Sequence, residues 1–284
     1  MILMKIWSGS MYYVFNKSSI GYSHILNKKP CQDFSSSYSD PYKTIITCSD
    51  GHGGEVYIRS HTGANIASSA VINAFSRISL RELRRTNKEE LERMIKINVL
   101  CEYNRMVESS LAKNKLKRSE VAHLDEDQIF LLKDNPSRAF GTTLTGAMVY
   151  ENKLVLVGIG DSEVLLVRKG EMIKAFDDED EPVANITHSM CQDDAFTHLN
   201  VKILDWRDYD GVILCTDGLS SPYQSYTNLN NSFIKPLVYK VVNTRSIASI
   251  DSFIDELAEK LGIGDDVSLS FIIKSTTNSR YYKK

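Results

Sequence analysis

The stretch GTTLTGAMVYENKLVLVGIGDSEVLLVRKGEMIKAF, residues 141–176, decides the fold. It holds four strand-like runs, GTTLTGAMVY, KLVLVGIG, EVLLVRKG and EMIKAF, parted only by very short turns. Parallel neighbours need about a dozen connecting residues or more, so no crossover helix fits between these runs. The expectation is an antiparallel meander, with Asp161 in the tight turn GIGDSEV.

Working outward, two apolar patterns of helical spacing precede it. In ANIASSAVINAFSRI, Ala67, Ala70, Val71, Ala74, Phe75 and Ile78 recur on one face. In KEELERMIKINVLCEYNRMVESSLAK, Leu91, Met94, Ile95, Val99, Met106 and Leu111 do the same. Both stripes read as core-facing surfaces. Near the end, Ile250, Phe253, Ile254, Leu257 and Leu261 form a third apolar face, closed by Gly262 as a C-cap. VSLSFII then reads as a final strand, and strands are also expected around Tyr12–Phe15 and Thr44–Thr47. Residues 113–138, where charge runs break the periodicity, read as a helix end plus loop.

Helices grouped apart from antiparallel strands define an α+β chain, with two packed sheets and helices outside them. No repeat or linker divides residues 1–284, which read as one domain whose tail, about 275–284, is expected to be disordered. The acidic run DDEDE, 177–181, reads as a solvated loop.

Composition excludes several classes. The 284 residues carry a formal net charge of -2, which gives no global drive toward nucleic acid. No run approaches the roughly 20 apolar residues of a membrane helix, and the N-terminus is a poor signal peptide. Five scattered cysteines without a CxxC fit a reducing cytoplasm. Cys48 and Cys215, at apolar strand ends, read as buried small hydrophobes.

The chemistry lies in the carboxylates. Asp50 ends an apolar run in CSDGHGG, and Asp217 does the same in VILCTDGLS. Asp161 lies in a turn, Asp265 and Asp266 precede the last strand, and Asp33 in KPCQDF precedes another. Turns favour Asp, so each is unremarkable alone. Together they are not. Carboxylates gathered at one rim resist ionisation unless a cation neutralises them, and an all-oxygen donor set favours Mg²⁺ or Mn²⁺ over zinc.

The ordered motifs SDGHGG, FGTTLTGAMV, VGIGDSEVLLVRKGE, CTDGLS and GDDVSL resemble those of the metal-dependent, type 2C serine/threonine protein phosphatases, and the short SH…CQD motif resembles a bacterial branch. The resemblance covers Gly21 to Ile273. It implies a four-layer α-β-β-α sandwich, two antiparallel sheets flanked by helices, with a metal centre at one end. It implies two ions, Mn²⁺ or Mg²⁺, with a weaker third. Asp50 matches the bridging ligand and Gly51, through its carbonyl, a ligand of the second metal. Asp217 and Asp265 match ligands of the first metal, Asp161 a ligand of the third, and His52 a general acid. Asp266 stands where the family usually has Asn. Gln32-Asp33 stands where it usually has Glu-Asp, the Glu being a second-metal ligand, and Lys28 aligns with its phosphate-gripping Arg. Ser23 and His24 are given no role beyond a structural hydrogen bond.

The activity so implied is hydrolysis of phosphoserine and phosphothreonine proteins in a cytoplasmic signalling system with a cognate kinase. A metal-bridging hydroxide attacks phosphorus in line, and neither nucleic acid nor membrane is a partner. Gln32 and Lys28 keep open a pseudophosphatase that binds without turnover, and a small phosphorylated molecule is the other alternative substrate.

Overall fold

The computed structural model describes residues 3–7, 10–176, 187–244 and 248–283, so the acidic run 177–181 lies outside the described residues. The strands are β1 (Leu3–Trp7), β2 (Ser10–Ser19), β3 (Asp33–Ser39), β4 (Thr44–Asp50), β5 (Leu144–Tyr150), β6 (Lys153–Ile159), β7 (Glu163–Arg168), β8 (Glu171–Lys174), β9 (Asn200–Asp205), β10 (Gly211–Cys215) and β11 (Val267–Lys274). Among the described residues they form a six-stranded sheet, β1-β2-β11-β10-β7-β8, and a five-stranded sheet, β3-β4-β5-β6-β9. Every pairing is antiparallel.

Alternating side chains point to opposite faces of a strand, and here both faces are buried. On β4, Ile46 and Cys48 turn into the core between the sheets with Val14, Ala147, Leu156, Leu166, Leu214 and Ile272. Ile45 turns the other way, beneath helices. β5 is accordingly buried at every position, which is why its sequence reads as a nearly continuous apolar run.

The helices are α1 (Tyr22–Leu26), α2 (Ser60–Arg77), α3 (Leu80–Arg85), α4 (Lys88–Lys113) and α5 (Glu126–Asp134), followed by several later ones that include Lys235–Thr244 and Ala248–Glu256. α2 and α4 cover the five-stranded sheet through Ala67, Val71, Phe75, Leu91, Ile95 and Val99. Val238, Val241, Ile250 and Ile254 of the last two cover the six-stranded sheet. The result is the expected four-layer α-β-β-α sandwich. Polar groups secure the helix ends. Asn87 caps α4 by accepting from Glu90 N at 2.9 Å. Buried Lys43 donates to Phe75 O at 3.0 Å, Ser76 O at 2.8 Å and Ile78 O, satisfying carbonyls that the end of α2 leaves open.

Three expectations need correction. The residues 141–176 do not form one meander: β5–β6 and β7–β8 are hairpins in different sheets. Gly160 (φ +92°), Asp161 and Ser162 carry the chain from one sheet to the other. Stacked sheets lie about 10 Å apart, a gap that about three extended residues span. A short turn therefore serves a change of sheet as well as a hairpin. Within 113–138, α5 is a full helix, with Asp125 and Gln128 forming a reciprocal capping box. Gly262 caps its helix as expected, donating to Leu257 O at 2.8 Å with extended backbone. The tail does not fray: Tyr282 is buried in the core beneath the C-terminal helices, and its hydroxyl donates to Asp210 Oδ2 at 2.6 Å.

Candidate metal centre

Antiparallel pairing delivers the carboxylates to one rim. Asp50 ends β4, and its register partner is Asp33, the first residue of β3. β10 runs into Asp217 immediately before the short helical turn Asp217–Ser220 advances, and β11 starts beside the end of β10 just after Asp265 and Asp266. Asp161 follows β6, whose end pairs with the start of β5.

These carboxylates act on one another electrostatically. Burial raises the Asp50 carboxyl well above the usual carboxylate range, and Asp33, Asp217, Asp161 and Asp265 push it further up. Asp33 is likewise raised, first by burial and then by Asp266 and Asp265, although Thr216 Oγ1 donates to its Oδ2 at 2.7 Å and works the other way. Asp217 is raised by burial, then by Asp161 and Asp265. Asp161 is exposed and accepts from Thr187 Oγ1 at 2.8 Å.

The surrounding backbone is tightly held. Asp50 O accepts from Thr143 N and from Thr142 Oγ1, both at 2.8 Å, and Asp50 N meets Thr143 Oγ1 at 3.0 Å. These threonines belong to the GTT sequence that was read only as the start of a strand. They clamp the Asp50 backbone, a role visible only once β5 lies beside β4. Gly51 N donates to Gln32 O at 3.1 Å. A Cβ at Gly51 would stand 2.7 Å from Ser60 O and 2.8 Å from Gln32 O, so only glycine lets these backbones approach.

The Gln32 amide nitrogen donates to His52 O at 3.3 Å and to Ser60 Oγ. Lys28 is exposed, with a left-handed φ of +52°. Its neighbour Lys29 lines an open cleft of about 460 Å³ with Gln32, Gly53, Tyr57 and His61. His52 N donates to Gly141 O at 3.1 Å, and its ring lies 4.9 Å from that of Tyr57. His52 Nε2 is buried and has no hydrogen-bond partner among the described residues. Burial lowers the imidazole pKa, partly offset by Asp161.

Asp266 is nearly inaccessible, 3% exposed. It accepts from Gly21 N at 2.7 Å, Gln32 N at 2.6 Å and His24 Nδ1 at 2.8 Å. Ser23 makes a structural hydrogen bond, from Oγ to Gly264 O at 2.6 Å.

Oxygen donors crowded until they resist ionisation, with other carboxylates as the groups acting on Asp50, are the chemistry of a site for divalent cations. The comparisons agree. The family model for protein phosphatase 2C matches residues 20–259, and the chain belongs to that family of metal-dependent protein-serine/threonine phosphatases. No curated protein matches it in sequence. Among solved structures, it is similar to a bacterial serine phosphatase at 16% identity, covering 92% of this chain and 96% of that one with a TM-score of 0.61. The catalytic domain of the phosphatase PstP in complex with two manganese ions matches at 20% identity over 93% of this chain and 98% of that one, TM-score 0.55. PppA, a regulatory component of a secretion system in Pseudomonas aeruginosa, matches at 17% identity over 93% and 97%, TM-score 0.57. At these identities the likeness is one of fold. No described helix is long and apolar enough to cross a membrane.

Proposed function

We propose that the chain removes phosphate from phosphoserine and phosphothreonine in proteins, with Mn²⁺ or Mg²⁺ held at the carboxylate rim. The observation that carries this reading is the group of Asp33, Asp50, Asp161, Asp217 and Asp265, whose mutual repulsion awaits a neutralising charge. Asp50 would bridge two cations, with Asp217 and Asp265 on the first and the Gly51 carbonyl on the second. Gln32 and Asp33 would support the second, directly or through water, and Asp161 with Asp217 would hold a weaker third. When bound, the cations supply an activated water and screen the phosphoryl charge.

The remaining work falls to the chain's own side chains. His52, anchored through its backbone to Gly141 and flanked by Tyr57, presents a buried, unpartnered Nε2. That nitrogen is the proton donor for the departing serine or threonine oxygen. Lys28 attracts the phosphate as a point charge without the bidentate fork of an arginine. A cognate protein kinase would supply the substrate.

One observation favours a second reading, a binding module without turnover: Gln32 is a neutral side chain, held through its amide nitrogen by Ser60 and His52, where the resemblance implies a charged glutamate ligand. Mn²⁺-dependent release of phosphate from phosphothreonine peptides, alongside p-nitrophenyl phosphate, separates the two. Hydrolysis of neither substrate would leave only the binding module. Hydrolysis of p-nitrophenyl phosphate alone would move the substrate class to small molecules.

A further inference from the structure

We infer that His24 is a ligand of the first metal, through Nε2, with Asp266 as the carboxylate that orients it; this rests on the reading above that cations occupy the rim. His24, Asp265 and Asp266 each offer a ligand atom, and these atoms lie within 4.8 Å of one another.

The tautomer follows from the partner. Asp266 accepts at both oxygens, from Gly21 N on Oδ1 and from Gln32 N and His24 Nδ1 on Oδ2. Both Asp266 oxygens already accept backbone N–H groups, which assigns the hydrogen of the 2.8 Å contact to His24 Nδ1. That leaves Nε2 as the nitrogen available to a cation, whose binding displaces any proton there. Nε2 faces Asp265, 4.0 Å from its Oδ1. A first-row cation takes nitrogen and oxygen donors at about 2.1 Å, so two of its ligand atoms stand at most about 4.2 Å apart. The separation of Nε2 and Oδ1 is inside that limit.

The arrangement is also rigid. Ser23 donates to Gly264 O twice, from N at 2.9 Å and from Oγ at 2.6 Å, which fastens α1 to the turn before Asp265. A Cβ on Gly21 would stand 2.3 Å from the Asp265 carbonyl carbon, so the two backbones are in direct contact. Asp265 is fixed in turn, because its Oδ1 accepts from Asp266 N at 2.8 Å. Carboxylate, imidazole and metal in series is the usual way a ligating histidine is held, the second carboxylate setting ring orientation and basicity.

This accounts for the aspartate at a position where the resemblance implies asparagine. An asparagine has one acceptor oxygen and would turn an NH₂ toward one of the three donors that Asp266 satisfies. His24 and Asp266 thus form one device. An imidazole among oxygen ligands shifts preference away from Mg²⁺ and toward Mn²⁺ and its heavier neighbours.

The test uses the full chain loaded with Mn²⁺ and read by pulsed electron paramagnetic resonance. The wild type should show ¹⁴N modulation from a directly bound imidazole. His24→Gln should lose it while keeping an amide donor for Asp266, and its thermal melt reports whether the fold survives. In competition, the excess of Mg²⁺ needed to displace half the Mn²⁺ should fall by about tenfold or more in His24→Gln, the scale of losses at metal-site partners. Mn²⁺ bound without nitrogen modulation, or modulation that persists in a folded His24→Gln, overturns the assignment of His24 and leaves the phosphatase reading standing. Failure of the wild type to bind Mn²⁺ at all overturns both.

Discussion

Asp33 and Asp50 face each other across the β3–β4 ladder, and burial raises both carboxyls above their usual range. Two acids in register at the end of a buried pair of strands are a poor choice for stability alone. Like charges directly opposite on a ladder are destabilising, and here Asp217, Asp161 and Asp265 add to the repulsion on Asp50. The strands are rigid because they are buried, and that rigidity fixes the Asp50 carboxylate where a flexible turn would not.

A pH dependence follows for the metal-free protein. Asp33, Asp50 and Asp217 have folded-state pKa values raised above the unfolded ones. The folded chain therefore binds these protons more readily than the unfolded chain. Stability falls as pH rises from about 4, the unfolded value, through the raised values, and it recovers on acidification. Thermal melts in EDTA should show a higher midpoint at pH 5.5 than at pH 7.5. Asp50→Asn should raise the pH 7.5 midpoint, flatten this dependence and abolish metal-dependent turnover. Near-normal activity of the variant at saturating Mn²⁺ would remove Asp50 from the centre.

Gln32→Glu should lower the metal concentration for half-maximal activity, because a charge returns beside the second cation. The structure adds a counter-effect. The glutamate cannot donate to His52 O, which Gln32 Nε2 now does at 3.3 Å. Losing that bond and leaving two oxygens opposed should destabilise the metal-free protein by about 1 kcal/mol. Metal titrations of activity and urea unfolding in EDTA measure the two effects separately. An unchanged or raised half-saturation concentration means that position 32 does not face the metal.

The sandwich and the acidic rim were legible for physical reasons. Strand-end aspartates beside glycines survive as local patterns, and helical stripes such as Ala67 to Ile78 map directly onto buried faces of α2. What could not be read was pairing. Three residues at Gly160–Ser162 serve a hairpin or a change of sheet equally well, so the partner of β7 was hidden. α5 was missed because its charged surface masks a short apolar face in which Leu132 alone is buried. The threonine clamps and the His24–Asp266 pair join residues far apart in the chain, 242 positions for the latter. No local window contains them.

The docked tail makes its own prediction. Tyr282 is 1% exposed and donates to Asp210 Oδ2, which also accepts from Lys169 N at 2.6 Å. Tyr282→Phe should cost about 1 kcal/mol through the lost hydrogen bond. Tyr282→Ala should cost about 3 kcal/mol or more, the scale for an aromatic removed from a core. Urea unfolding of both variants is the measurement. Wild-type stability in the alanine variant would mean that the tail lies free of the core.

His52 separates structural from chemical roles by leaving group. Its backbone is pinned to Gly141, and a Cβ on Gly141 would stand 3.0 Å from the His52 ring, so the imidazole sits in a close-fitting slot. A histidine that merely filled this slot would be expected to spend its ring nitrogen on a neighbour, because a buried polar atom without a partner is costly. Nε2 is instead buried and unpartnered among the described residues. The proposed acid role requires the substrate to reach that nitrogen, and the imidazole to carry its proton against the burial that lowers its pKa. Serine and threonine alkoxides are strongly basic and need a proton on departure, whereas p-nitrophenolate is stable without one. His52→Gln should therefore slow phosphothreonine peptide hydrolysis by about 10²-fold or more, the usual scale of general acid catalysis, and slow p-nitrophenyl phosphate turnover much less. The comparison belongs on kcat at saturating metal, since a disturbed turn would also weaken binding at Asp50, two residues away. Equal losses on both substrates would identify a histidine that holds the turn and nothing more.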